Sequence, residues 1–159
     1  MPNHNPVAPD RSAPVRIVET VFPGATNHYG TMFGGKVLEL MDRAAFLAAS
    51  RFAQQAMVTA STERIDFHHP IKHGHMVEAI AQVVHTGRTS LTVRVSLYAE
   101  DPLRATREHA TDGYFHMVAV DADGKPTPVP ALVAETPEAK TEWEFVAHLK
   151  ASRPRRVHA

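Results

Sequence analysis

One segment of this chain is too apolar to lie on a surface. From about Thr31 to Gln54 the residues read as a helix, with "AAFLAA", Ala44 to Ala49, at its centre. A helix that is apolar nearly all round is wrapped by other elements rather than rested on them. Thr31 is the expected N-cap. The segments on either side change period from helical to alternating. "VRIVETVF" (Val15 to Phe22) reads as a first strand. "MVTASTERIDFHH" alternates through Val58/Ala60 and Ile65/Phe67. "MVEAIAQVVHT" puts Val77, Ala79, Ala81 and Val83 on one face, and "SLTVRVSLYAE" does the same with Leu91, Val93, Val95, Leu97 and Ala99. "TREHATDGYFHMVAVD" aligns Phe115, Met117 and Ala119, and its Gly113 reads as a bulge. Short turns such as "HTGRTS" and "DADGKP" make the pairing antiparallel. The expected architecture is α+β, a five-stranded antiparallel sheet wrapped around one long central helix.

Residues 1–14, rich in Pro and Asn, are expected to form a flexible arm, residues 15–135 the domain, and 136–159 a tail. In that tail Trp143, Val146 and Ala147 fall at the spacing of a short amphipathic helix. Arg153, Arg155 and Arg156 read as a solvated terminus. Seventeen Lys and Arg balance seventeen Asp and Glu, which argues against a nucleic-acid surface. The absence of cysteine excludes disulfides and thiol nucleophiles. No run approaches the roughly 18 apolar residues of a membrane span. The first residues show no apolar signal core, so a cytoplasmic location is expected.

On a helical wheel Lys36, Glu39, Arg43, Ser50 and Gln54 form a polar stripe, with a Glu39–Arg43 pair expected one turn apart. Val37, Leu38, Met41, Ala45 and Phe52 form the core face. Asp42 lies at the margin, outside the polar stripe. An acid there either widens the solvated face or stands beside a cleft, partly desolvated and suited to act as a base.

The residues that lead into the helix decide how Asp42 is read. "NHYGTMFGGKVLELMD", Asn27 to Asp42, resembles the signature of bacterial cytosolic acyl-CoA hydrolases, thioesterases of the hotdog fold. The match lies at Asn27, Gly30, Phe33, Gly34, Gly35, Met41 and Asp42. "ERIDFHHPI", "HTGRTSLTV" and "YFHMVAVDADGKPTPVP" look like the family's later strands, so the likeness covers roughly Val15 to Pro130. The chain departs from the family at His69 and His75, where Arg and an acid are frequent. The resemblance implies hydrolysis of acyl-CoA to free acid and CoA. It implies a homodimer or trimer of dimers, with Asn27 of one subunit and Asp42 of the other as the catalytic pair. It implies no cofactor beyond the CoA carried by the substrate.

Those residue types suit the chemistry. A carboxylate can take a proton from water as general base, or attack a thioester as nucleophile. The amide of Asn27 can donate to a carbonyl oxygen or hold the water. Gly34 and Gly35 fall in the first helical turn, where N–H groups lack intrahelical partners and the dipole is positive. Arg88, Thr89 and Ser90 of "GRTS" can meet the phosphates of CoA, or can be ordinary turn residues. Two other functions fit the same fold. One is a non-catalytic acyl-CoA-binding module. The other is an enoyl-thioester hydratase, which would use a histidine in the site loop, where His28 stands. "HHPIKHGH" holds His68, His69, His73 and His75, but its spacing matches no closed metal site, so no metal is expected.

Overall fold

Alternation along four runs of sequence builds one side of the core. The computed structural model describes residues 10–153. It contains β1 (Val15–Thr20), α1 (Gly34–Ala53), β2 (Ala56–Thr62), β3 (Met76–Thr86), β4 (Ser90–Asp101), β5 (Thr106–Val120) and α2 (Pro137–Ala151). The strands form one antiparallel sheet in the order β1-β3-β4-β5-β2. Val77, Ala79, Ala81, Leu91, Val93, Val95, Leu97, Phe115, Met117 and Ala119 are buried in one cluster with Val37, Leu40, Met41, Ala44, Ala45, Ala48 and Ala49 of α1. This is the hotdog arrangement, a curled sheet around a central helix. No helix among the described residues is long and apolar enough to cross a membrane.

The helix differs from expectation in four details. It starts at Gly34, and Thr31 is not its cap. The Thr31 hydroxyl instead donates to Asn27 Oδ1 at 3.2 Å, and its backbone bridges to Lys72. The cap position falls to Phe33, which has no side-chain acceptor to offer. Arg43 does not pair with Glu39. It reaches Glu19 on β1 at 2.5 Å, while Glu39 takes Lys36 at 3.3 Å. Leu38 is not core but 39% exposed, and Phe46 and Leu47 are exposed as well. The sheet therefore covers only part of the circumference of α1.

The second strand is shorter than its apolar pattern suggests, and it faces the other way. Met57 is buried and Thr59, itself exposed, turns to the α1 side, while Val58 is 47% exposed and Ala60 is exposed. β2 is an edge strand, so its outer side chains meet no neighbour, and alternation of hydrophobicity alone misassigns the faces. A bulge at Ala60 lets Thr59 pair with Met117 and Ser61 with His116. On β5 the bulge falls at Ala110, not at Gly113, which pairs regularly with Val95. Gly113 instead gives room to two core side chains. A Cβ there would lie 2.9 Å from Met41 Cε and 3.1 Å from Ile65 Cδ1.

The opposite face of the sheet is covered by α2. Thr136 caps this helix, accepting from Ala139 N–H at 3.1 Å, and Pro137 opens it. Val146 is fully buried, and Trp143 stacks on His85 with ring centroids 4.2 Å apart. Residues 1–9, including most of the expected arm, lie outside the described residues, as do Arg155 and Arg156. Arg153 is not a free terminus. It donates to Glu63 at 2.5 Å and to Ser61 Oγ at 2.7 Å.

Glu63 also accepts from the His116 Nε2 N–H at 2.8 Å, while Thr92 donates to His116 Nδ1 at 2.8 Å. Burial lowers the pKa of His116 and outweighs the pull of Glu63. Burial, helped by the charges of Lys150 and His116, also lowers the pKa of His85. For Glu63 burial would raise the pKa, but the hydrogen bonds from His116 and Arg153 win and lower it. All three shifts act in the same direction. Below the ordinary histidine value of about 6.5 the unfolded chain binds protons that the folded chain resists. Glu63 adds to this in the carboxylate range. Stability is therefore fully present near pH 7 and lost as pH falls. Thermal unfolding should show a midpoint that drops steadily from about pH 7 to pH 5. The double variant His85→Leu, His116→Gln should show a flatter profile over that range.

Candidate functional site

Asn27 closes a tight loop on itself. Its Oδ1 accepts from Tyr29 N–H at 3.0 Å, Thr31 N–H at 3.2 Å and the Thr31 hydroxyl at 3.2 Å. Its backbone N–H donates to Thr31 O at 2.9 Å, and Gly30, at φ +76°, donates back to Asn27 O at 3.0 Å. Three donors on one oxygen fix which end of the amide is which. The NH₂ group is left with no acceptor among the described residues. Asn27 is thus both a turn residue and an oriented free donor. His28 is exposed beside it, its ring against Tyr29.

The loop delivers the chain to α1. Gly34 and Gly35 are the first two helical residues, and their N–H groups find no acceptor among the described residues. A Cβ at Gly35 would meet nothing within 4 Å, and one at Gly34 would meet only Phe67, 3.7 Å away. The missing side chains are therefore not a packing necessity; they leave the donors open. Beside them is a cavity of about 330 Å³, lined by Met32, Gly34, Val37, Phe67, His69 and Ile71 among others. A larger cavity, about 580 Å³, lies between the start of α2 and residues 131–136. It holds none of the candidate residues, whereas the smaller one holds Gly34.

Asp42 lines neither cavity. Its Oδ1 accepts from the Thr59 hydroxyl at 2.6 Å, and that hydroxyl also lies 3.3 Å from Met117 Sδ. One turn before Asp42 is Leu38 and one turn after is Phe46, which are 39% and 47% exposed. Asp42 is itself exposed, between those two apolar side chains. It sits in an uncovered apolar stripe. The alternation through Val58 and Ala60 does not point to Thr59, which shares its face of β2 with Met57. The available signal was a hydroxyl two residues after Met57, on the inward side of the strand that follows the helix.

Asp42 is eight residues beyond Gly34 on one helix, about 12 Å along the axis. The donors at the helix start and the acid of the same chain cannot both reach one carbonyl. Arg88, Thr89 and Ser90 lie at the β3–β4 hairpin, in a third place. Arg88 is exposed and has no carboxylate partner among the described residues. Thr89 O accepts from Ala119 N–H at 3.0 Å, and Ser90 Oγ accepts from Lys150 Nζ at 3.3 Å. Of the clustered histidines, His69 pairs with Glu108 and His75 lies 3.7 Å from Asp101. Among the described residues no three acidic or imidazole groups are placed to hold a metal ion.

Comparison with known proteins identifies the family. Residues 29–106 match the model of the thioesterase superfamily. A Bacillus subtilis protein named as an uncharacterized acyl-CoA thioester hydrolase is 38% identical over 77% of this chain and 73% of its own length. The chain belongs to the thioesterase superfamily. Among solved structures, a hexameric acyl-CoA thioesterase in its apo form superposes with a TM-score of 0.85 and 40% identity, covering 90% of this chain and 92% of that one. An acyl-CoA hydrolase from Staphylococcus aureus, solved in complex with butyryl coenzyme A and coenzyme A, gives a TM-score of 0.78 and 34% identity, with 87% of each chain covered. The same staphylococcal enzyme has been solved as single alanine variants of an asparagine, a threonine and an aspartate.

The double use of Asn27 can be separated. Asn27→Ala should remove the acceptor of three donors and destabilise the protein by about 1–3 kcal/mol. Asn27→Asp keeps the acceptor and puts a carboxylate oxygen in place of the free NH₂. Hydrogen exchange at Tyr29 and Thr31 N–H should accelerate in the first variant and stay slow in the second.

Proposed function

We propose that this protein hydrolyses acyl-CoA thioesters, with each active site shared between two subunits. The observation that carries this reading is Asp42, held by Thr59 within an uncovered apolar stripe, about 12 Å along the helix from its own chain's open N–H donors. A second copy that covers Leu38 and Phe46 would bring its Asn27 loop and its Gly34–Gly35 turn to the acid. The hexameric relatives support such an assembly, a homodimer or a trimer of dimers. This chain also carries an asparagine, a threonine and an aspartate at its site, the three residue types varied in the staphylococcal enzyme.

In the proposed reaction Asp42 takes a proton from water, and the hydroxide attacks the thioester carbonyl. Thr59 holds one carboxylate oxygen and leaves the other free for the proton. The partner's Gly34 and Gly35 N–H groups meet the developing oxyanion, where one donor is typically worth about 2.7–4 kcal/mol. The Asn27 NH₂ positions the carbonyl or the water. Collapse of the tetrahedral intermediate expels the thiolate of CoA, which recovers the proton from Asp42. No metal or cofactor beyond CoA takes part. The working place is the cytoplasm, as for the mammalian relatives named cytosolic acyl coenzyme A thioester hydrolases, of whose length this chain spans about a third.

Thiol release from an acyl-CoA panel tests the reaction. Turnover is expected, and binding without turnover would leave an acyl-CoA-binding module instead. Thr59→Val should lower kcat by about 10- to 100-fold, the value of one hydrogen bond to a charged group, and Thr59→Ser should restore most of it. The shared site has its own test. Asp42→Asn and Asn27→Ala should each be nearly inactive. If equal amounts re-pair at random, half the dimers are mixed and one of their two sites is intact. The mixture should recover about one quarter of wild-type activity. Confirmed mixed dimers that stay inactive would show that the two residues do not act across an interface.

A further inference from the structure

The two helices are held in different ways. α1 buries nine of its twenty residues, whereas α2 buries one of fifteen, Val146. Apolar burial therefore contributes little to the docking of α2. Polar contacts take its place. Glu142 accepts from the Arg94 guanidinium and the Tyr114 hydroxyl, Lys150 donates to Ser90, and Arg153, just beyond the helix, donates to Glu63 and Ser61. Partly exposed ion pairs of this kind add little stability. One contact is of another kind. Trp143, the only tryptophan of the chain, lies against His85 with ring centroids 4.2 Å apart.

His85 is the weak point of this arrangement. It is 8% exposed, and its Nδ1 is buried with no hydrogen-bond partner among the described residues. In a neutral ring that atom is one unfilled acceptor. In a protonated ring it is a donor that carries charge, with nothing to accept from it. The surroundings supply no counter-charge. α2 presents Trp143 and Lys150, β4 pairs Thr92 with His85, and β5 brings His116. The carboxylates under the helix are committed elsewhere, Glu63 to His116 and Arg153, and Glu142 to Arg94 and Tyr114. Glu144 and His148 of α2 are exposed. Burial, then the charges of Lys150 and His116, lower the pKa of His85. The indole face attracts a cation and offsets part of this.

We propose that α2 is an acid-released strap: protonation of His85 frees the helix from the sheet while the rest of the domain stays folded. Release carries His85 into water and away from Lys150, where its pKa returns to the ordinary value of about 6.5. The docked ring titrates lower, so docking is fully present above about pH 6.5 and is lost as pH falls below it. The docking equilibrium drops up to about tenfold per pH unit until the docked ring is itself protonated. Release takes Glu138, Ala139 and Glu142 from one wall of the larger cavity and uncovers Tyr114 and His116 on the sheet. The strap does not depend on the reaction proposed above.

Trp143 emission and amide hydrogen exchange, followed on the full chain from about pH 8 to about pH 5 and well below the thermal midpoint, test this. Emission should shift to the red below about pH 6.5. Corrected for intrinsic rates, the amides from Trp143 to Lys150 should lose protection by up to about tenfold per pH unit. Those of Val93, Val95 and Phe115 in the sheet should keep theirs. His85→Leu leaves Trp143 an apolar neighbour and removes the titration, so its α2 should stay protected down to about pH 5. Lys150→Met removes a cation that acts on His85 and should move release to lower pH. Loss of protection in α2 and in the sheet together means global unfolding and overturns the strap. So does an α2 that stays protected in wild type, or release of His85→Leu at the wild-type pH. Should His85→Leu fail to fold, Lys150→Met carries the test, and an unchanged release pH overturns the role of His85.

Discussion

The structure depends on one mismatch of area. Beside its stripe of Lys36, Glu39 and Arg43, the 20-residue helix α1 carries more apolar side chains than the single five-stranded sheet covers. The covered part is the core, from Val37 through Phe52. The uncovered part runs through Leu38, Phe46 and Leu47, with Asp42 among them. Closing that stripe requires a second surface, and exclusion of water around a carboxylate is also what a base for thioester hydrolysis needs. Burial of the helix and assembly of the proposed site would then be the same event.

Local periodicity made most of the fold legible. β3 and β4 are central strands packed on one face by α1, so their inward residues are apolar without exception from Val77 to Val83 and from Leu91 to Ala99. β2 lies at the edge, where an outward Val58 costs little and an inward Thr59 is needed, so hydrophobicity was a poor guide to its direction. Thr31 was a sound cap by residue type, but its hydroxyl is used by Asn27. Arg43 found Glu19, 24 residues earlier, over Glu39 one turn away, because β1 passes beside the helix. No local pattern reports such a contact.

The candidate site was legible in its residue types and not in its assembly. Asn27, Gly34, Gly35 and Asp42 stand within sixteen residues, and their motif was readable. That they divide into two places in one chain follows from the rise of the helix, a matter of length. The cluster under α2 was invisible for the opposite reason. His85, Ser90, Thr92, His116 and Lys150 are scattered over 66 positions and meet only because three strands and a helix stack. Polar residues in such places carry no periodicity, since each is placed by its partner and not by a face.

The bulge at Ala60 breaks the odd–even parity of β2. Without it Thr59 and Ser61 would share a face. With it Thr59 turns inward to Asp42 and Ser61 turns outward to Arg153 and the end of α2. One inserted residue thus lets a single short strand serve the two sides of the sheet, the proposed base on one and the tail helix on the other. Removing Ala60 would restore a regular ladder with Thr59 still opposite Met117 and Ser61 still opposite His116, whereas pairing Ala60 in register would put Thr59 and Ser61 on one face and cost one of the two addresses.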